Sequence, residues 1–445
     1  MNQRTGLLLG LAWSVMALGL TGPALAAQPL VQNQDSQQSL ALPLDLFKKT
    51  PSFNEAEPGQ SVPHTSQRRE MPDELQNSPA IAEVLRLNWQ STPLYGKTED
   101  SQKIGLAKVF KATVERNLSI RQAEALVQEA ESQARELLES NPLLLLNPIQ
   151  LGLLKQAEAF QVEAAKSHVQ VVKQKALLEG AQKYFTLTQA YLAKYLAFQA
   201  IEQGRNQLTL EERRFQSGES DRFGLTQTQM ALIDRYHLYL NTDADYYAAS
   251  LALSNHLGFS EELALVPEEV SLRNEINRVP ALKLLPDSLT LAMVEKAGLS
   301  RPDIQEFQFR KEALLKLVKA SFGNDKRKHE AELTQLERRA EEAQALIFVT
   351  TRQAYARFQT FKKSLQLAQQ RYELVVELVR QLEVSNKAGF SSQKDVLDGK
   401  RELAKANSAL IEALLQSHLA QIRLAYEMGV LQEDFLSRPF PPNAL

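Results

Sequence analysis

Residues 388–398, AGFSSQKDVLD, lie between two long runs of helical periodicity, and residues 214–225, RFQSGESDRFGL, lie between two others. Each stretch reads as the end of one helix and the start of the next. Gly389 can adopt the left-handed backbone that closes a helix. Ser392, followed three residues later by Asp395, has the pattern of a capping box for the helix that follows. Asp221 would cap the matching helix in the earlier stretch. There Gly224 stands where the acid of the box belongs, so that turn is less fully specified.

Outward from these turns the chain is built for long helices. No proline occurs from Ile149 to Val266 or from Asp303 to Arg438, and an interior proline would cost a helix about 3 kcal/mol. Apolar and small residues recur at alternating three and four. Ala368, Tyr372, Val375, Val379 and Leu382 do so before the second turn, and Leu403, Ala406, Leu410, Ala413, Ala420 and Leu424 after it, with Ser417 in register. That is a heptad seam, and its small residues imply close helix approach. The second long helix of each half, about 153–216 and 327–385, would run roughly 90 Å at 1.5 Å per residue.

The chain also repeats. With Gly218 laid on Gly389, Leu225 falls on Val396, Leu232 on Leu403, Leu253 on Leu424 and Leu257-Gly258 on Met428-Gly429, without a gap. Upstream, LAKVFKATVERNLSI (106–120) matches LTLAMVEKAGLSRPDI (289–304) with one adjustment. The fold class expected is all-α: a duplicated long helical hairpin, with repeats at 101–260 and 288–431 joined by a linker at 261–287 and followed by a tail at 432–445.

Residues 1–26 read as a signal peptide, with Arg4, an apolar core from Leu7 to Leu20 and the small-x-small site Ala24-Leu25-Ala26. Residues 27–100 are rich in Pro, Gln and Ser and are expected to be disordered, although IAEVLRLNW (81–89) has the makings of a docking segment. There are no cysteines, which excludes disulfides and thiolate metal sites. Lys and Arg total 51 against 53 Asp and Glu, a balance that argues against a nucleic-acid partner making many phosphate contacts. A soluble, exported protein is expected.

At RFQSG (214–218), AGFSSQKDVLD (388–398) and RPDI (301–304) the chain resembles the TolC family of outer-membrane efflux ducts, over about residues 104 to 430 and in both halves. The resemblance implies a homotrimer whose helices form an α-barrel across the periplasm of a Gram-negative-type cell, continued by a shared membrane β-barrel. It implies a periplasmic adaptor (membrane fusion protein) and an inner-membrane pump as partners, and passive export through an iris-like opening. Gly218, Glu219, Ser220 and Asp221, with Gly389, Phe390, Ser391 and Ser392, would form the tip turns that meet the adaptor. By position, Asp395 and Asp398 match paired aspartates at the narrow pore entrance. Residues at i and i+3 share a helix face, so three copies would surround the constriction with carboxylates and favour cations. Capping explains Asp395 equally well.

The chain departs from that family where membrane strands belong. A spanning strand takes about 9 to 11 residues. SNPLLLLNPIQLG (140–152) has room for one strand, and FGNDKRKHEAE (322–332) reads as a charged turn, for which a solvated loop is a commoner explanation than contact with anionic head groups. Little or no β-barrel contribution is therefore expected, and a non-conducting periplasmic coiled-coil scaffold stays open as the alternative. No catalytic constellation is present, so no enzyme, metal or cofactor is expected. His168, His237, His256 and His418 read as partly exposed helix residues, and Tyr236, Tyr239, Tyr246 and Tyr247 as packing between helices.

Overall fold

The computed structural model of the chain describes residues 79–87, 102–139, 147–259, 264–268, 284–286 and 288–436. The expected signal peptide and most of the N-terminal segment and linker lie outside them. In chain order the elements are α1 (Pro79–Arg86), β1 (Gln102–Ile104), α2 (Leu106–Arg116), α3 (Leu118–Glu139), α4 (Pro148–Ser217), α5 (Arg222–Leu257), β2 (Leu265–Pro267), α6 (Leu291–Gly298), α7 (Pro302–Ala320), α8 (Gly323–Lys387) and α9 (Gln393–Glu427). Helices α2 to α5 and α6 to α9 follow one pattern: short, intermediate, very long, long.

Helix α4 has 70 residues and α8 has 65, about 105 and 98 Å at 1.5 Å per residue. Both start earlier than the periodicity suggested. Asn147 caps α4 by accepting from the Gln150 N–H, and Pro148 occupies the first turn, where its missing N–H is harmless. The part of SNPLLLLNPIQLG that is described, from Asn147, is thus the start of a helix rather than a strand. Residues 140–146 lie outside the described residues. In the second half only Ser321 and Phe322 separate α7 from α8, and Gly323 makes the bend at φ 59°. The charged stretch read as a turn is helical from Gly323 onward. Lys326 and Glu330, at i and i+4 and 3.9 Å apart, are the kind of pair that supports a helix start.

Among the described residues the only strands are β1 and β2, three residues each, paired in parallel with Gln102 opposite Leu265 and Ile104 opposite Pro267. Strand β2 therefore gives the expected linker an ordered piece. It is held further by Tyr246, whose hydroxyl donates to the Leu265 carbonyl at 2.8 Å. No helix of the described residues is long and apolar enough to cross a membrane.

Two apolar clusters hold the helices. The larger joins both halves: Val109 and Phe110 of α2, Leu177 and Tyr184 of α4, Leu253 of α5, Val294 of α6, Phe358 of α8 and Leu415, Ile422 and Leu424 of α9. The smaller fills the α4–α5 hairpin with Ile201, Leu208, Leu225, Leu232 and Tyr239, and α1 closes it with Ile81, Val84 and Leu87. The N-terminal segment is thus interrupted by a docked helix. Arg205 donates from Nε to the Val84 carbonyl at 3.1 Å and from Nη2 to the Leu87 carbonyl at 2.6 Å, satisfying the exposed end of α1. Tyr236 donates to Glu83 at 2.8 Å, and burial, then Glu83, pushes its phenol up to about 12.

The duplication is visible in single contacts. Gly180 of α4 meets Thr113 of α2, whose Oγ1 would lie 3.0 Å from an added Cβ. At the equivalent crossing in the second half the roles are exchanged: Gly298 lies on the short helix α6, and Thr351 of α8 approaches its Cβ position to 3.2 Å. A short helix can cross a long one this closely only if one side carries no Cβ. At the head of α7, Arg301 ties the second half shut. Its guanidinium grips Asp303 at 3.1 and 2.9 Å, donates to Glu427 of α9 at 2.7 Å and lies over the Tyr426 ring at 5.2 Å.

Candidate functional site

The eight turn residues singled out in the sequence fall at the distal ends of two helical hairpins, α4–α5 and α8–α9. In the first turn Gly218 lies at φ 79°, its N–H bonds the Phe215 carbonyl, and the Glu219 N–H bonds the Arg214 carbonyl. In the second, Gly389 lies at φ 80°, its N–H bonds Asn386, and the Phe390 N–H bonds Ser385. These are the same Schellman closure. Two further copies end α5 at Gly258 and α9 at Gly429, at φ 64° and 71°. Each glycine that closes a helix in this way has its equivalent in the other half.

The chain restarts differently in the two turns. Asp221 caps α5 with one contact, accepting from the Gly224 N–H at 2.8 Å, while Ser220 bonds Glu211. Ser392 and Asp395 form the full capping box on α9. The Asp395 N–H donates to Ser392 Oγ at 3.2 Å, and Asp395 Oδ2 accepts from the Ser392 N–H at 2.8 Å. Asn386 and Ser391 tighten that turn, the amide donating to the Ser391 carbonyl at 2.8 Å and the Ser391 hydroxyl to the Leu382 carbonyl at 3.1 Å. The second turn is the better tied.

Both turns present a bare aromatic ring. Phe390 is 87% exposed, and Phe223, which the sequence reading passed over, is 73% exposed. A phenylalanine at the second position of a helix, on the face opposite the buried Leu225, was the signal available for it. The two aspartates share a helix but have different surroundings. Asp395 serves the capping box, while Asp398 accepts from Arg401 at 2.8 Å. Asp398 is thus one end of an exposed i,i+3 ion pair, and its charge is partly balanced before any neighbour arrives. The Asp398–Arg401 spacing was legible in the sequence and went unused.

The histidines and tyrosines split. His237 is exposed, and His168 meets Glu306 at 3.1 Å. His418, expected to be partly exposed, is instead 2% exposed beside Phe185. Its position on the seam of α9 puts it inside, and burial pushes its imidazole down to about 4. His329 is buried as well. Tyr236, Tyr239 and Tyr246 pack between helices, whereas Tyr247 is exposed. Beside Tyr246, Lys194 and Asp243 make a buried ion pair at 2.5 Å, with the ammonium 5.0 Å from the ring centre. Among the described residues no cluster of His, Asp or Glu is suited to hold a metal.

No family model matches the chain, and no curated protein matches it in sequence. Solved structures do. The chain is similar to the CmeC outer membrane channel of Campylobacter jejuni, with 13% identity, TM-score 0.57, and coverage of 86% of this chain and 95% of that one. It is similar to the open MtrE outer membrane channel of Neisseria gonorrhoeae, at 16% identity and TM-score 0.54, covering 74% and 90%. CusC, described as forming a transmembrane channel, matches at 17% identity and TM-score 0.55, covering 73% and 92%. The chain has the fold of TolC-type outer-membrane channels, built on duplicated long hairpins, and its described residues are nearly all helical, with two three-residue strands.

Proposed function

We propose that the chain is one subunit of a TolC-like export duct, a homotrimer that passes solutes passively from the periplasm towards the exterior. The observation that carries this reading is the equivalence of the two hairpins. Each has a very long helix of about 100 Å and ends in a left-handed glycine turn, so copies of one unit can alternate around an axis and wall a lumen. The turns at Gly218–Asp221 and Gly389–Ser392 are the surfaces for a periplasmic adaptor, working with an inner-membrane pump. Phe223 and Phe390 are the apolar anchors there. Asp395 and Asp398 line the entrance, with Arg401 tempering the ring. Localisation in the outer membrane and periplasm follows from the same reading, and no enzymatic activity is part of it.

A specific observation favours a second reading, the non-conducting scaffold. Helices α7 and α8 are joined by two residues, where a membrane hairpin would need well over 20. Purified mature protein decides between the two. A trimer by light scattering that carries current in planar bilayers supports the duct, whereas a monomer or dimer without conductance supports the scaffold. In a conducting trimer, Asp395→Ala with Asp398→Ala should weaken block by divalent cations. Unchanged block with trimers intact removes the aspartates from the pore.

A further inference from the structure

Well away from their connecting turn, α4 and α5 are joined by a buried ion pair. Lys194 Nζ lies 2.5 Å from Asp243 Oδ1, and the two side chains are 8% and 4% exposed. The ammonium also faces two rings, 5.0 Å from the centre of Tyr246 and 6.0 Å from that of Tyr239. Asp243 Oδ2 is buried with no hydrogen-bond partner among the described residues. Two charges taken out of water recover their lost hydration only when every lone pair is satisfied, so this pair is a poor source of stability.

The duplication supplies a comparison inside the same chain. Gly180 matches Thr351 and Gly218 matches Gly389 at one constant offset, and by that offset Lys194 falls on Leu365 and Asp243 on Leu414. Leu365 is half-buried and Leu414 is buried. Tyr239 and Tyr246 fall on Leu410 and Ser417. A hairpin of this kind therefore folds without charge at this level. What the ion pair adds is discrimination. The two hairpins have similar seams and α9 runs in the direction of α5, so α9 is the natural rival of α5 for α4. Helix α4 already touches α9 just upstream of Lys194, where Gln174 donates to the Gly429 carbonyl at 2.7 Å and Phe185 lies 6.1 Å from His418. Paired with α9 instead, Lys194 would meet Leu414, and α5 on α8 would set Asp243 against Leu365. Either exchange leaves a buried charge alone.

We infer that Lys194 and Asp243 are a pairing lock, which makes α4 accept α5 and reject α9 and so keeps the two near-equivalent hairpins from exchanging helices as the chain folds. A single polar pair on an otherwise apolar seam fixes partner and register in this way at a cost in stability. The lock rests on the two hairpins of one chain and not on the trimer proposed above.

The chain has no cysteine, so spin labels can be placed at will on the full mature protein. Gln203→Cys with Asp234→Cys reports α4 against α5, and Gln203→Cys with Lys405→Cys reports α4 against α9; all three positions are exposed. Labelled chains are unfolded in urea, refolded among an excess of unlabelled ones, and measured by pulsed electron spin resonance. With Lys194 and Asp243 in place, each label pair should give one narrow distance. Lys194→Leu with Asp243→Leu should unfold at an equal or higher urea midpoint, yet refold to two populations. In the second of these the 203–234 distance is longer and the 203–405 distance shorter. Moving the lock, by adding Leu365→Lys and Leu414→Asp to that variant, should restore single distances. Lys194→Leu alone strands Asp243 and should lower the folded-to-unfolded ratio on the order of 100-fold or more. A leucine pair that refolds to the original distances, that unfolds at a lower midpoint, or that lengthens 203–234 without shortening 203–405 would overturn the inference. So would a moved lock that folds and leaves both populations in place; if it does not fold, the leucine pair decides alone.

Discussion

Thr113 and Gly180 in one half, and Gly298 and Thr351 in the other, exchange bulk across the same helix crossing. The steric requirement belongs to the pair and not to either position. Gly180→Thr alone would force its side chain against Thr113 and His256 and should cost about 1–3 kcal/mol, as overpacking does. Adding Thr113→Gly reproduces the arrangement of the second half and should recover the larger part of that loss. A double-mutant cycle from urea unfolding measures the coupling, and strictly additive values would show that the crossing relaxes by other means. The exchange was invisible in the sequence, because neither residue departs from helical pattern. It needed the knowledge that α2 and α6 cross α4 and α8 at those turns. The carboxylate of Asp395, in contrast, was readable, since its capping partner Ser392 is three residues away.

At the scale of elements, the long helices follow from the absence of interior prolines and a continuous heptad seam. Of the seam residues, Val379, Ala406, Ser417, Ala420 and Leu424 are buried. Gly218, Gly258, Gly389 and Gly429, all left-handed, close these helices. A Cβ at Gly389 meets no atom within 4 Å, so Gly389→Ala is a test of backbone conformation alone and should cost about 1–2 kcal/mol. The loss should appear as faster amide exchange in residues 385–396 with the central core unchanged. Exchange that spreads evenly through α8 and α9 would mean that the turn and the hairpin unfold as one unit. Local rules misjudged the short pieces. Residues 322–332 resemble a turn in composition, yet α8 starts there because it packs along α7, and α1 is ordered by the α4–α5 groove and the Arg205 clamp.

At the scale of the whole molecule, the larger core draws residues from both halves, so its stability is shared. His418 lies in it, and its pH dependence can be worked out. The folded imidazole titrates near 4, the unfolded one near 6.5. As pH falls below about 6.5 the unfolded chain takes up a proton that the folded chain refuses, so stability declines until about pH 4 and is then level. The difference amounts to up to about 3 kcal/mol. His256, also lowered by burial first, acts with the same sign. Unfolding free energies of wild type and His418→Gln should therefore converge as pH falls from 6.5 to 4, and parallel curves would place the acid sensitivity elsewhere.

Periodicity, proline placement and the two glycine turns were enough, from the sequence alone, to determine an all-α chain of duplicated hairpins. Each of those signals acts within a few residues along the backbone, and so survives in one dimension. Which faces were buried was decided in three dimensions. His418 lies inside, and Phe223 and Phe390 lie outside. Those outcomes depend on which helices lie side by side. Side chains more than a hundred residues apart are brought together there by packing that no local pattern encodes.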